Sequence, residues 1–286
     1  MKYFFVFIFC VFVSAPAFSQ SNVLHNNWND DFEMFDVENP TVEINYGVSR
    51  LKHKKFSGKL SDAGVVEIRL GFNKTNEVQK NKFIKNFHDV TIFIKNISTE
   101  INNNSNKVNE YKSETWMAGY SNNSGYGYYW GDFAIIPYNG YSFIWNSFNC
   151  PDLKPDSLNY LPEKPLLRIN KNIRFGTSSE AGIKIQPFKF LTINGAFETN
   201  VVFPRYMVWK HAVSLIIEFG SQKAADEFVN EIMKSSPVAA PFISFLLKSG
   251  ISYGFYKLKQ ENMNWPFKTE APLTYETFKV GMTFTF

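Results

Sequence analysis

The chain of 286 residues is 44% hydrophobic and 17% aromatic, with 30 Phe, 14 Tyr and 6 Trp. A helical membrane protein would be far more apolar; a transmembrane barrel, oily on one half of each strand, need not be, and a secreted β-sandwich is the other class rich in aromatics. The formal charge of +4 is small and scattered, which argues against nucleic acid as a partner.

Taken in order, the chain opens with Lys2, an apolar run over residues 3–13, and the small residues Ala15, Ala17 and Ser19. That order describes a secretory signal peptide over residues 1–19, cleaved after Ser19 or, alternatively, after Ala17. The run is too short for a spanning helix, which needs roughly 20 apolar residues. Cys10 lies within it, so processing leaves Cys150 and no intrachain disulfide. Cys150 is read as a buried small hydrophobe or a loop bystander. Residues 20–40 carry Asp30, Asp31, Glu33, Asp36 and Glu38 and form an acidic extension. A flexible tail is the default for such a segment, with Trp28, Phe32 and Phe35 as an alternative contact surface.

From residue 41 to 286 the pattern is that of strands. Val42, Ile44, Tyr46 and Val48 alternate with Glu43, Asn45, Gly47 and Ser49; Val66, Ile68, Leu70 and Phe72 alternate with Glu67, Arg69 and Gly71. Weaker candidates cover residues 90–97, 111–120, 126–136 and 141–146. The Asn-rich stretches 102–106 and 121–125 read as connections between them. A proline-rich linker over 151–165 leads to a clear hairpin. In it Ile183 and Ile185 alternate with Lys184, and Leu191, Ile193 and Phe197 alternate with Thr192, Asn194 and Glu198.

Residues 204–260 break the pattern and read as a helical insertion. Residues 206–219 form a largely apolar helix, and Ser221 caps a second helix with Ala225, Phe228, Val229, Ile232 and Met233 at helical spacing. Ser236 and Pro237 start a third, apolar over 238–247 and ending at Gly250. The third is too short to span a bilayer.

The final strand places Phe278, Val280, Met282, Phe284 and Phe286 on one face and Thr277, Lys279, Gly281, Thr283 and Thr285 on the other. It resembles the closing strand of Gram-negative outer-membrane β-barrels, which ends in a terminal Phe preceded by alternating apolar residues. The resemblance implies an antiparallel transmembrane β-barrel, an all-β fold with the helical insertion between its last two strands. It also implies outer-membrane lipid and the barrel-assembly machinery as partners. Phe278, Val280, Met282, Phe284 and Phe286 are then the lipid-facing strand and assembly signal. Both termini, the acidic extension and the short turn at 186–190 fall on the periplasmic side.

Without the leader, extension and insertion, about 190 residues remain, enough for about 8–10 strands. The inward positions then include Glu43, Glu67, Arg69, Lys184, Glu198 and Lys279, and mixed charge in so narrow a lumen pairs up rather than lining a pore. No Gly-x-Ser-x-Gly elbow, Cys-x-x-Cys or His-x-x-x-His occurs, and no cofactor, metal site or enzymatic activity is expected. His88 with Asp89, and His211 with Ser214, are the candidates a catalytic reading would use, His211 foremost. Three roles are weighed. The first is a structural or accessory component of an envelope complex, docking on a partner protein through residues 204–260. The others are a carrier or channel for small hydrophobic molecules and a lipid-modifying enzyme.

Overall fold

The structure, a computed structural model, describes residues 39–78, 81–101, 110–153 and 164–286. The leader, the extension up to residue 38, the Asn-rich stretch 102–106 and most of the proline-rich linker lie outside the described residues.

Among the described residues ten strands form: β1 (Asn39–His53), β2 (Lys59–Leu60), β3 (Ala63–Val78), β4 (Asn81–Ser98), β5 (Glu110–Tyr111), β6 (Glu114–Trp130), β7 (Phe133–Asn149), β8 (Ile173–Phe188), β9 (Leu191–Val202) and β10 (Leu273–Thr285). Eight of them close a barrel in the order β1-β10-β9-β8-β7-β6-β4-β3, every neighbouring pair antiparallel. Strands β2 and β5 form a separate two-stranded parallel ladder. Closure removes every sheet edge, which an isolated sheet leaves as unpaired N–H and C=O groups. At the seam, Thr41 faces Thr285 and the Phe286 amide donates to the Pro40 carbonyl at 3.0 Å.

Tight turns at Gly131-Asp132 and Lys189-Phe190 share one end of the barrel with the first residues of β1 and the last of β10. Gly131 sits at φ 68°, a left-handed conformation that glycine enters without a Cβ clash. Longer connections and the helices leave from the opposite end, the loop end. Residues 121–125, expected as a connection, lie inside β6 instead, paired with β4 and β7. Asn and Ser favour turns only where no neighbouring strand offers ladder partners; here two do.

The insertion forms two helices, not three: α2 (Val208–Ser235) and α3 (Ala240–Lys259), a short α1 (Lys164–Leu167) having come earlier in the chain. Ser221 does not cap a second helix. Its hydroxyl donates back to the Ile217 carbonyl at 2.9 Å, which lets the helix run through. Gly250 does not end α3, which continues for more than two turns to Lys259. Packing of α3 against the barrel, and of α2 along α3, overrides these local stop signals.

Candidate functional site: the filled lumen and the covered wall

Strand alternation points one set of side chains into the barrel, and in the middle of the lumen that set is ionic. Among the described residues, five buried carboxylates (Glu43, Glu67, Asp89, Glu180, Glu198) meet four buried cations (Arg69, Lys95, Lys184, Lys279) there. Arg69 bridges Glu67 at 2.6 Å and Glu180 at 2.7 Å. Lys279 reaches Glu67 at 2.9 Å, Glu180 at 2.9 Å and Glu198 at 2.7 Å. Lys95 holds Glu67 at 2.9 Å and Glu198 at 2.5 Å, and Lys184 holds Asp89 at 2.9 Å and Glu43 at 3.3 Å.

Neutral donors complete the shell. Asn45 donates to Glu43 and Glu67, Thr283 to Glu43, Ser178 to Glu198 and Tyr138 to Glu180. Such saturation is what a buried charge needs, since a lone one is expelled or neutralised. Room for it comes from glycine: a Cβ on Gly182 would stand 2.7 Å from the Tyr138 ring, and one on Gly281 would overlap the Asn45 amide oxygen.

Apolar side chains close the lumen above and below this belt. At the loop end Leu51, Phe93, Ile97, Ile144, Phe148 and Tyr275 pack with Phe56, Leu60, Cys150, Leu153 and Leu166 from the connections. Near the turns, Phe87, Tyr129, Ala134 and Ile136 form a second cluster. An eight-stranded barrel is just wide enough for such filling. A cleft of about 340 Å³ lies at the loop end, between the β1–β2 connection and the end of α3, with Lys52, Lys54 and Lys59 at its rim. Those lysines are paired with Glu276, Glu261 and Glu110.

The six inward residues expected from the sequence all enter this lumen. Asp89, Lys95 and Glu180 join them without having been expected there. Asp89 and Lys95 are six residues apart, hence on one face of β4, but the strand pattern read over 90–97 is weak and stops short of Asp89.

α3 lies against the outside of the barrel, over β6, β7, β8 and β9, and α2 packs along α3 and meets the wall at Phe219. Tyr128 donates to the Val238 carbonyl at 2.6 Å, Asn139 to Ser249 at 2.8 Å, and the Tyr141 and Phe219 rings meet edge-on at 5.0 Å. Between the two helices Lys259 pairs with Glu218, both buried, and Lys248 pairs with Asp226 at 2.8 Å. Beneath them, outward-pointing Thr177, Thr199 and Val201 are buried.

The candidate catalytic pairs do not assemble. His88 and Asp89 are consecutive in β4, so Asp89 enters the lumen while His88 points outward and is exposed. His211 packs its ring 4.2 Å from that of Phe203, and Ser214 is buried within α2. Among the described residues no cluster of His, Cys, Asp and Glu is arranged to hold a metal ion. The closing strand turns Phe278, Val280, Met282 and Phe284 outward, and Phe286 is exposed at its end.

No protein-family model matches the chain, and no curated protein matches it. Solved structures do align with it. Neisserial surface protein A is 8% identical over 86% of this chain and 97% of its own, with a TM-score of 0.43. Ail, the attachment invasion locus protein of Yersinia pestis, is 9% identical over 87% of this chain and 98% of its own, with a TM-score of 0.32. The same Ail in complex with the heparin analogue sucrose octasulfate is 10% identical over 87% and 99%, with a TM-score of 0.31.

Proposed function

We propose that this chain is an integral outer-membrane barrel that serves as a structural or accessory component of an envelope complex, not as a pore, carrier or enzyme. The observation that carries the reading is the inversion of the barrel: its charges are inside and its apolar side chains outside. Ile44, Tyr46, Val48, Val66, Ile68, Leu70, Ile92, Ile94, Phe278, Val280 and Met282 are each at least 40% exposed on the outer surface. In water, a contiguous belt of this kind loses roughly 25 cal/mol for every Å² left uncovered, and lipid removes that penalty.

The filled lumen argues against a channel and leaves a carrier no axial path. His211, stacked beside Phe203, and Ser214, buried in α2, offer no substrate cleft. What remains distinctive is the helical hairpin on the outer wall, and docking on an envelope protein is the role it fits. Phe278, Val280, Met282, Phe284 and Phe286 serve in this reading as the lipid-facing and assembly-directing residues of the last strand.

The test is electrical. Purified protein in a planar bilayer should give no stable single-channel current; large, long-lived conductance steps would refute the closed-lumen reading. For assembly, deleting Phe286 should abolish heat-modifiable mobility on gels and leave the protein degraded, whereas normal outer-membrane yield would remove the last strand from the signal.

A further inference from the structure

Three arginines from separate parts of the chain meet at the loop end around one carboxylate. Arg168 follows α1 in the β7–β8 connection and Arg174 is the second residue of β8; Arg205 lies between β9 and α2, and Glu270 between α3 and β10. Arg168 Nη1 reaches Glu270 Oε1 at 2.6 Å, and Arg205 Nη2 reaches the same oxygen at 3.4 Å. Arg174 Nη2 donates to the Arg168 carbonyl at 2.6 Å, which ties the third guanidinium to the same place. Among the described residues Arg174 pairs with no carboxylate, and its Nε is buried without a hydrogen-bond partner.

The charge balance here is the reverse of the lumen's, where carboxylates outnumber cations. Three guanidinium charges against the single carboxylate of Glu270 leave two in excess. The side chains of Arg168 and Arg205 are 53% and 56% exposed, and an ion pair that open to water holds its carboxylate weakly. The backbone that carries the arginines is fixed by contrast. The Asn170 amide donates to the Leu166 carbonyl at 2.8 Å, the Lys171 amide to the Phe148 carbonyl at 2.8 Å, and the Phe203 amide to the Phe175 carbonyl at 2.9 Å. A guanidinium presents its N–H groups as a planar fork that matches the oxygens of a phosphate. Glu270 Oε1 marks where one such oxygen stands against Arg168 and Arg205.

We propose that Arg168, Arg174 and Arg205 form an oxyanion site at the loop end for a phosphate monoester, carried on a lipid headgroup or on a soluble sugar. A phosphate monoester holds close to two negative charges at neutral pH, which matches the two positive charges in excess, and it offers three acceptor oxygens. Glu270 supplies one charge, so the dianion takes its place between Arg168 and Arg205, and the exposed carboxylate turns out to water. Arg174, lacking a carboxylate of its own, adds its charge and its free N–H groups from the side of the Arg168 carbonyl. The site is built from the loop-end connections alone and stands or falls apart from the membrane reading.

The test uses the full chain in detergent, with heat-modifiable mobility as the check on folding and inorganic phosphate as the probe, followed by phosphorus NMR at about pH 8, where phosphate is a dianion. Binding should saturate, and weaken about tenfold in Arg168→Gln and in Arg205→Gln. Arg205→Lys, which keeps the charge and loses the fork, should fall between. Glu270→Ala should tighten binding by removing the competing carboxylate, and Lys52→Gln, at the separate pair with Glu276, should leave it unchanged. Displacement of phosphate by a short-chain phosphatidic acid at lower concentration than by glucose 6-phosphate assigns the site to a lipid headgroup, and the reverse order assigns it to a soluble sugar phosphate. Absence of saturable binding, or equal binding in folded Arg168→Gln and Arg205→Gln, overturns the site. Weaker binding in Glu270→Ala overturns it as well, since the arginines would then serve only to anchor that carboxylate.

Discussion

The two sides of this barrel carry different outward residues on the same backbone. On β1, β3, β4 and β10 the outer positions include Ile44, Tyr46, Val48, Val66, Ile68, Leu70, Ile92, Ile94, Phe278, Val280 and Met282, and these are exposed. On β6, β7, β8 and β9 they include Asn122, Ser124, Asn139, Thr177, Ser179 and Thr199, all buried or half-buried. The helical hairpin accounts for the contrast. A wall covered by protein can present hydroxyls and amides, because helix side chains such as Ser249 supply the partners that lipid cannot. The outward pattern of a strand thus reports its neighbour, lipid or helix, as much as its own secondary structure.

Removing the helical cover should have the largest effect. Deleting residues 207–258 and closing the gap with a short Gly/Ser link should abolish the folded, heat-modifiable form, since it strips the polar strip of its partners. Converting Asn122, Ser124, Asn139, Thr177, Ser179 and Thr199 to Leu in the deleted chain should recover folding. A plain deletion that folds with full yield would show that the strip tolerates lipid, and the contrast between the two walls would lose its cause.

Next come the two buried ion clusters, one inside the barrel and one inside the cover. Lys279→Met removes the cation shared by Glu67, Glu180 and Glu198 and should lower stability by about 3–5 kcal/mol, read from the urea midpoint. Lys259→Met strands Glu218 between helix and wall and should cost a similar amount, about 3–5 kcal/mol. A near-neutral Lys259→Met would mark the hairpin as loosely seated.

The smallest effects sharpen the contrast at single outward positions. Val280→Lys on the uncovered wall should cost about 2–4 kcal/mol. Asn230→Lys, exposed on α2, should stay within about 0.5 kcal/mol. Equal penalties at the two sites in a folding titration into lipid vesicles would mean that lipid surrounds both.

Much of the barrel is legible in the chain because strand periodicity is local. Alternation at Val42–Val48, Val66–Phe72 and Phe278–Phe286 specifies inside and outside residue by residue. Together with the alternation of the 183–198 hairpin, it assigns Glu43, Glu67, Arg69, Lys184, Glu198 and Lys279 to the lumen, where all six lie buried. Residues 121–125 read as a connection because Asn, Ser and Gly weaken the alternation, and only pairing with β4 and β7 makes them a strand. The continuity of α3 through Gly250 is likewise settled by the barrel wall against which it packs, and that of α2 through Ser221 by its packing along α3.

By itself, then, the chain determined the inward and outward faces at 42–48, 66–72, 183–198 and 277–286 and the helical character of residues 204–260, all of which depend on neighbours within a few positions. Tertiary structure alone decided that eight strands close, that Arg69 meets Glu180 and Lys95 meets Glu198 across more than a hundred residues, and that the helices cover the outside instead of filling the lumen. Those outcomes turn on which distant groups meet one another's charge and hydrogen bonds across a narrow lumen, and no local pattern records that.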